Sequence, residues 1–214
     1  MSSYVRPTVI GPEFRDAAGN VIPYGRRWGM ESPPEDTYSV TSNLERLRPV
    51  HTVAEALIAH LVEEYDVELS DDVANAGDLP FEMDDVVRAV RLTPRDPQSA
   101  PLTFVFTDHP SVIVHAGALS DLFFPSCSCD ACDESWEAIS DELEWQVLAV
   151  VAGGFSETLS RGFRPRYTSA LASAGQSIGS KRTLEKAALP RERRKRAREI
   201  LNAAAGGWRA WPRR

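Results

Sequence analysis

Three short apolar segments separated by turn-forming residues constrain the fold of this chain more than any other feature. They cover residues 86–92, 102–107 and 111–115, and the intervening sequences are TPRDPQSAP and DHP. Such segments favour β-strands, and the proline and aspartate between them favour turns. Parallel strands need a crossover of about a dozen residues or more, so strands joined this closely pair antiparallel. The sequence therefore predicts an antiparallel meander whose third strand is central and ends at His115.

Helical periodicity lies on both sides of this meander. Apolar residues recur every three or four positions between residues 50 and 65, which predicts one amphipathic helix. A second apolar stripe predicts a long helix from about Asp133 to Gly153, with Asp130 or Asp133 as its N-cap. The members of that stripe are Trp136, Ile139, Leu143, Val147 and Val150.

The other segments complete the predicted fold. Residues 163–171 and 176–180 are expected to pair as strands, and residues 189–205 to form a basic helix. The acidic stretch 66–85 lacks the ligand order of a calcium loop and is expected to be a solvated loop. The sequence thus predicts an α+β fold, in which a mainly antiparallel sheet of four or five strands is packed by the long central helix. A helical N-terminal part and the basic C-terminal helix flank it.

Composition divides the chain into three parts. Residues 1–36 are rich in proline and glycine and predict an extended N-terminal arm. In this arm Arg26-Arg27 beside Trp28 can cover an edge of the body, or the arm can be a mostly mobile leader. Residues 37–180 are expected to form a single α+β domain. Residues 181–214 are expected to form a basic helical C-terminal segment.

The net charge of −7 is unevenly distributed between the body and this last segment. Residues 1–180 hold 28 Asp and Glu against 12 Arg and no Lys, whereas residues 181–214 hold 12 Arg and Lys against 3 Glu. The basic segment can fold back on the acidic body, or it can bind nucleic acid. In the second case the arginines would contact phosphates, and the indoles of Trp208 and Trp211 would stack on bases.

The sequence also indicates the cellular compartment in which the protein is expected to be found. No run of about 18 apolar residues is present, so we expect no membrane partner. The first residues lack the basic and apolar regions of a secretory signal, which predicts a cytoplasmic protein. Thiols are normally reduced there, so clustered cysteines are more typical of a metal site or of reactive thiols than of disulfides.

All three cysteines lie within six positions, directly before the predicted long helix. Cys127, Cys129 and Cys132 can supply thiolates to a zinc ion, whose tetrahedral preference requires a fourth ligand. His115 is the candidate that we place in the site, and His109 or a nearby carboxylate is an alternative. The sequence therefore predicts a zinc site of Cys127, Cys129, Cys132 and His115.

Two other interpretations of the cysteines stay open. Cys129 and Cys132 form a CxxC motif at a helix start, where the pKa of a thiol falls, so the thiols can be redox-active. The meander strands before the motif are not the context of a thioredoxin-like site, and the flanking Asp130, Asp133 and Glu134 are expected to raise a thiol's pKa. The second interpretation is that the cysteines are small and inert.

Several stretches of the chain resemble a known family. The run FPSCSCDACDE, the EWQV that follows it, the apolar VLAVVAGGF and the terminal GWRAWP are similar to a family of uncharacterised bacterial proteins, a domain of unknown function. The resemblance extends from Tyr65 through the C-terminal segment and implies no activity. Because no base or nucleophile accompanies the cysteines, we predict a non-enzymatic interaction module with a zinc-supported loop and a protein partner. The alternatives are a thiol redox enzyme and a nucleic-acid-binding protein acting through residues 181–214.

Overall fold

The computed structural model of the protein describes residues 4–162, 165–183, 189–204 and 207–214. These residues form an α+β fold with three α-helices, eight antiparallel strands and three short 3-10 helices. The α-helices are α1 (Pro49–Glu64), α2 (Trp136–Val151) and α3 (Arg191–Ala203). The strands are β1 (Val67–Asp71), β2 (Val86–Pro94), β3 (Leu102–Thr107), β4 (Val112–Ala116), β5 (Ser120–Phe124), β6 (Phe155–Leu159), β7 (Arg166–Ser173) and β8 (Gln176–Thr183).

The predicted meander is confirmed and is larger than expected. Strands β1 to β5 form one sheet in chain order, and each pairs antiparallel with the next. The predicted third strand is β4, which pairs with β3 on one side and β5 on the other and is buried at every residue, as expected of an interior strand. Strand β1 and the 3-10 helix Val73–Asp78 lie within the acidic stretch 66–85, so the prediction of a solvated loop there was wrong. Strand β1 is an edge strand that buries only Val67, which leaves little apolar pattern to recognise.

A second sheet of three strands follows α2. The predicted hairpin is confirmed as β7 and β8, which pair from Arg166 with Thr183 to Ser173 with Gln176. Residues 163 and 164, where the first of these strands was expected to begin, lie outside the described part of the chain. Strand β6 was not predicted. It begins directly after Gly154, where a Cβ would lie 2.0 Å from the carbonyl oxygen of Ala172, so only glycine fits the approach of these strands.

The N-cap of helix α2 is Ser135, and not Asp130 or Asp133 as expected. The hydroxyl of Ser135 accepts a hydrogen bond from the backbone N–H of Ala138 at 3.3 Å. Asp130 and Asp133 do not cap the helix, because their carboxylates bind the N-terminal arm and the segment before α1. A serine at this position satisfies one free N–H of the first turn and leaves both aspartates for other contacts.

The C-terminal segment is part of the folded body. Trp208 and Trp211 are 5% and 4% exposed, and both belong to the main hydrophobic core with α1, α2 and the meander. The indole N–H of Trp211 donates to the carbonyl of Ala100 at 2.8 Å. These indoles are therefore not available to stack on bases, and that part of the nucleic-acid alternative was wrong.

Helix α3 carries the basic residues of this segment along the surface of the body. Its Ala197 is buried in a small apolar cluster that includes Leu119, Tyr167 and Leu189. Ala205, the expected last residue of the helix, lies outside the described residues. Further on, Arg213 donates to the carboxylate of Glu64 at 3.0 Å. The basic segment thus folds back on the acidic body.

Among the described residues, each helix is too short or too polar to cross a lipid bilayer.

Candidate functional site

The three cysteines meet in the loop between β5 and α2. The sulfur of Cys127 lies 3.2 Å from that of Cys129, which lies 3.4 Å from that of Cys132. All three sulfur atoms lie within 4.8 Å of one another. Cys132 is exposed and the other two are partly exposed, so the group opens to solvent. Three thiols this close, accessible from one side, can bind one soft metal ion together.

The N-terminal arm holds the C-terminal half of this loop. The backbone N–H of Arg27 donates to the carboxylate of Asp133 at 2.8 Å, and its guanidinium donates to the same carboxylate and to the carbonyl of Asp130. The indole N–H of Trp28 also donates to the carbonyl of Asp130, at 3.2 Å. Asp133 has a left-handed backbone with φ of 51°, which these contacts help to fix. Arg27 and Trp28 therefore pack on the cysteine loop, whereas Arg26, the other arginine of the predicted contact, is exposed.

The segment before α1 holds the loop from a second direction. Arg46 is buried and donates to the carbonyl of Ser128 at 2.8 Å, between two of the cysteines. The backbone N–H of Ser42 donates to the carboxylate of Asp130 at 3.1 Å. Backbone hydrogen bonds from Asp130 to Val40 and from Ala131 to Thr37 complete the attachment. The path of the loop is thus fixed by contacts outside the cysteines themselves.

An aromatic ring links the two arginines. The guanidinium carbons of Arg27 and Arg46 lie 4.5 Å and 4.7 Å from the ring centroid of Tyr24. The hydroxyl of Tyr24 accepts a hydrogen bond from the side-chain amide of Asn43 at 2.9 Å. Cation–π contacts of partly buried arginines stabilise their position. The arm and the segment before α1 therefore support the cysteine loop as one unit.

Hydrogen bonds between the three thiols shift the pKa values of Cys129 and Cys132 in opposite directions. The hydrogen bond with Cys127 lowers the pKa of Cys129 to about 7, whereas hydrogen bonds with Cys127 and Cys129 raise the pKa of Cys132 to about 12. The carboxylates of Asp130, Asp133 and Glu134 were expected to raise thiol pKa values, but the largest causes of both shifts are the hydrogen bonds between the thiols. The first thiol of such a cluster therefore ionises at a lower pH than the others. A bound metal ion would displace the remaining thiol protons.

His115 lies away from the cysteine group. The described cysteine group contains no histidine or carboxylate within 4.8 Å of all three sulfur atoms. In the register of β4 and β5, Val112 faces Phe124 and His115 faces Asp121. The cysteine loop leaves from Phe124, so His115 lies three residues, about 10 Å, further along β4. Its Nδ1 lies 2.7 Å from Asp121 Oδ1, and the geometry does not favour it as a fourth ligand.

Sequence reasoning missed the residues that support the loop. Arg46 carried no signal, because a buried arginine is recognised only by its partners in space. Asp130 and Asp133 were noticed as helix caps, although their buried carboxylates bind the arm and the segment before α1. Their position beside the cysteines was the available signal for a structured loop.

The protein is thus an α+β protein with a five-stranded and a three-stranded antiparallel sheet. Its three cysteines are grouped on a surface loop that other residues support. Residues 11–214 match a family described as a family of unknown function, DUF6226. The chain belongs to this family, and the resemblance to a domain of unknown function is confirmed. Comparisons with curated proteins and with solved structures give no match.

Proposed function

We propose that this protein is a non-enzymatic interaction module whose cysteine loop binds one zinc ion through Cys127, Cys129 and Cys132. The observation that carries the proposal is the approach of the three sulfur atoms to within 4.8 Å of one another on a loop held by other residues. Zinc prefers thiolates in a tetrahedral arrangement, at about 2.3 Å from each sulfur. Small side-chain rotations bring three neighbouring sulfurs to that distance from a common centre.

The fourth coordination position supports an interaction role. The described residues contribute three metal-type ligands to the group, so a zinc ion there would keep one position for a ligand from outside this set. The exposure of Cys132 gives that ligand access from solvent. A histidine, cysteine or carboxylate of a protein partner would close the tetrahedron, and water would occupy the position in the partner-free protein.

The support around the loop also favours binding over catalysis. Arg27 donates to the backbone carbonyl of Asp130 and Arg46 to that of Ser128, so both arginines fix the path of the loop. No histidine or carboxylate lies within 4.8 Å of all three sulfurs among the described residues. General acid–base chemistry requires such a group within hydrogen-bonding reach of a substrate. The proposed role of the metal is therefore to order a surface that a partner recognises.

The test is the metal content of protein purified without chelators or a histidine tag, with free thiols counted on the same sample. We expect about one zinc per chain, with thiols protected until a chelator is added. Cys129→Ser should lose most of the zinc. Ser128→Ala is the matched control, because the hydrogen bond of Ser128 among the described residues is made by its backbone carbonyl and not by its side chain. Zinc-free wild-type protein, or equal zinc in both variants, would contradict the proposal.

A thiol redox enzyme is the second candidate, favoured by the 3.2 Å and 3.4 Å sulfur separations and the pKa of about 7 for Cys129. Oxidation of two thiols would form one disulfide and release two electrons and two protons to an oxidant such as a peroxide. The same sample distinguishes the two candidates. Metal-free protein in which one thiol is alkylated rapidly below pH 7 would favour the redox function.

A further inference from the structure

A cleft lies between the meander and α3. The cleft has a volume of about 590 Å³. Its polar lining comprises Asp78, Arg91, Thr93, Thr103, His115, Glu192, Arg193 and Arg196, and its apolar lining includes Pro101, Ala118 and Ile200. Pockets of about 300–1,000 Å³ are typical of sites for small molecules. The cleft is therefore large enough for an organic ligand.

The acidic groups of the sheet side already have partners. Arg91 donates to the carboxylate of Asp78 through Nε at 2.7 Å, and the hydroxyl of Thr103 donates to Asp78 at 2.6 Å. The carboxylate of Asp121 lies 2.7 Å from Nδ1 of His115. The charge of Asp78 is thus balanced on the sheet by Arg91, and the carboxylate of Asp121 is hydrogen-bonded to the ring of His115.

The two arginines that α3 contributes to the cleft have no carboxylate partner among the described residues. Neither Arg193 nor Arg196 forms an ion pair within 4.0 Å with any carboxylate of the described residues. Arg193 is partly buried, and its guanidinium donates to the backbone carbonyl of Leu79. Burial lowers the pKa of Arg193, and the distant Asp121 and Asp78 oppose this only in part. A partly desolvated, unpaired guanidinium is costly and is best compensated by an anion.

The ring of His115 adds a hydrogen-bonding atom. With Nδ1 engaged by Asp121, Nε2 is the ring nitrogen that has no hydrogen-bond partner among the described residues. A neutral ring offers Nε2 as an acceptor, and a protonated ring offers it as a donor. A phosphate monoester presents both charged oxygens and, near neutral pH, a hydroxyl, so it matches either form. Guanidinium groups bind phosphate oxygens with charge-assisted hydrogen bonds.

We propose that this cleft binds the phosphoryl group of a small organic phosphate monoester, with Arg193 and Arg196 as its cationic contacts and His115 as a hydrogen-bonding contact. The apolar lining would cover part of the organic moiety. The cysteine loop contributes nothing to this site, which is therefore independent of the proposed zinc function.

Isothermal titration calorimetry on the full chain tests the proposal with inorganic phosphate, glucose 6-phosphate and glucose. We expect glucose 6-phosphate to bind more tightly than inorganic phosphate, and glucose not to bind. Arg193→Ala/Arg196→Ala should weaken binding by about tenfold or more, because each guanidinium–phosphate contact is charge-assisted. Arg191→Ala/Arg194→Ala is the matched control, since it removes the same charge from α3 outside the cleft lining.

Three results would overturn the proposal: no binding of either phosphate at millimolar concentration, equal binding of glucose, or equal losses in both double variants. The last would indicate diffuse attraction by the charge of α3. Far-ultraviolet circular dichroism checks that the variants fold. If the double alanine variant does not fold, Arg193→Lys/Arg196→Lys keeps the charge and removes the bidentate geometry, and we expect it to bind several-fold more weakly.

Discussion

Arg27 and Asp133 lie 106 residues apart in the chain and are joined at two points: the backbone N–H and the guanidinium Nε of Arg27 each donate to one carboxylate oxygen of Asp133. The two side chains are 13% and 7% exposed. This contact makes the N-terminal arm a structural support of the cysteine loop. The loop therefore depends on a segment far from it in sequence, in addition to any metal that it binds.

Removal of the Arg27 side chain is expected to destabilise the protein. Arg27→Ala leaves the buried carboxylate of Asp133 with only the backbone N–H as donor, which should cost about 3 kcal/mol. Urea denaturation measures the loss, and limited trypsin digestion should release the arm earlier than in the wild type. Arg26→Ala is the control, because Arg26 is exposed. Equal stability of the two variants would show that the contact contributes nothing.

The carboxylate of Glu157 is expected to be essential for the packing of the C-terminal segment. It is 6% exposed and accepts from four donors: the backbone N–H groups of Ala118 and Leu119, the hydroxyl of Tyr167 and the indole of Trp208. In Glu157→Gln one oxygen becomes an amide donor that faces other donors, so we expect a loss of about 3 kcal/mol in the free energy of unfolding.

The control for Glu157 is Glu63→Gln, which makes the same chemical change at an exposed position of α1. Urea denaturation of both variants at neutral pH gives the comparison. A Glu157→Gln protein as stable as the Glu63→Gln protein would contradict the four-donor arrangement.

The ion pair of Asp78 with Arg91 predicts a pH-dependent contribution to stability. Burial opposes ionisation of Asp78, but hydrogen bonds from Arg91 and Thr103 outweigh it and hold the pKa of Asp78 below its usual value of 3.8. Because the pKa is lower in the folded state, the contribution is fully present above about pH 4. It is lost as the pH falls through the lowered pKa.

Asp78→Asn should therefore be less stable than the wild type by about 2 kcal/mol at pH 7, and the difference should narrow below pH 4. Urea denaturation between pH 7 and pH 3 measures it. Asp84→Asn serves as the control, because Asp84 is exposed. A difference that is constant over this range, or that grows towards low pH, would be inconsistent with the ion pair.

The parts of the fold that could be predicted from the sequence are those formed by residues close together in the chain. The meander was predictable because its apolar segments and turns are local signals, and every residue of β3 is buried. Strand β5 was missed because Ser120–Phe124 has only two buried residues, at its ends. Strand β6 was missed because its second buried residue is Glu157, which interrupts the apolar alternation expected of a strand.

Of the candidate site, only the grouping of the three cysteines could be predicted from the sequence. Cys127, Cys129 and Cys132 are close in sequence, and a short loop brings close neighbours together. The position of His115 depended on strand register, which the sequence did not specify, and the register pairs it with Asp121. The supports from Arg27 and Arg46 depend on contacts over 103 and 82 residues, which no local pattern reveals.

X-ray absorption at the zinc edge tests the central claim most directly, because it reports the atoms bound to the metal in the purified protein. We predict three sulfur neighbours at about 2.3 Å and one nitrogen or oxygen neighbour at about 2.0 Å. The sulfur signal should decrease in Cys129→Ser and remain unchanged in Ser128→Ala. Protein that carries no zinc, or zinc surrounded only by nitrogen and oxygen, would contradict the assignment of the cysteine loop as a metal site.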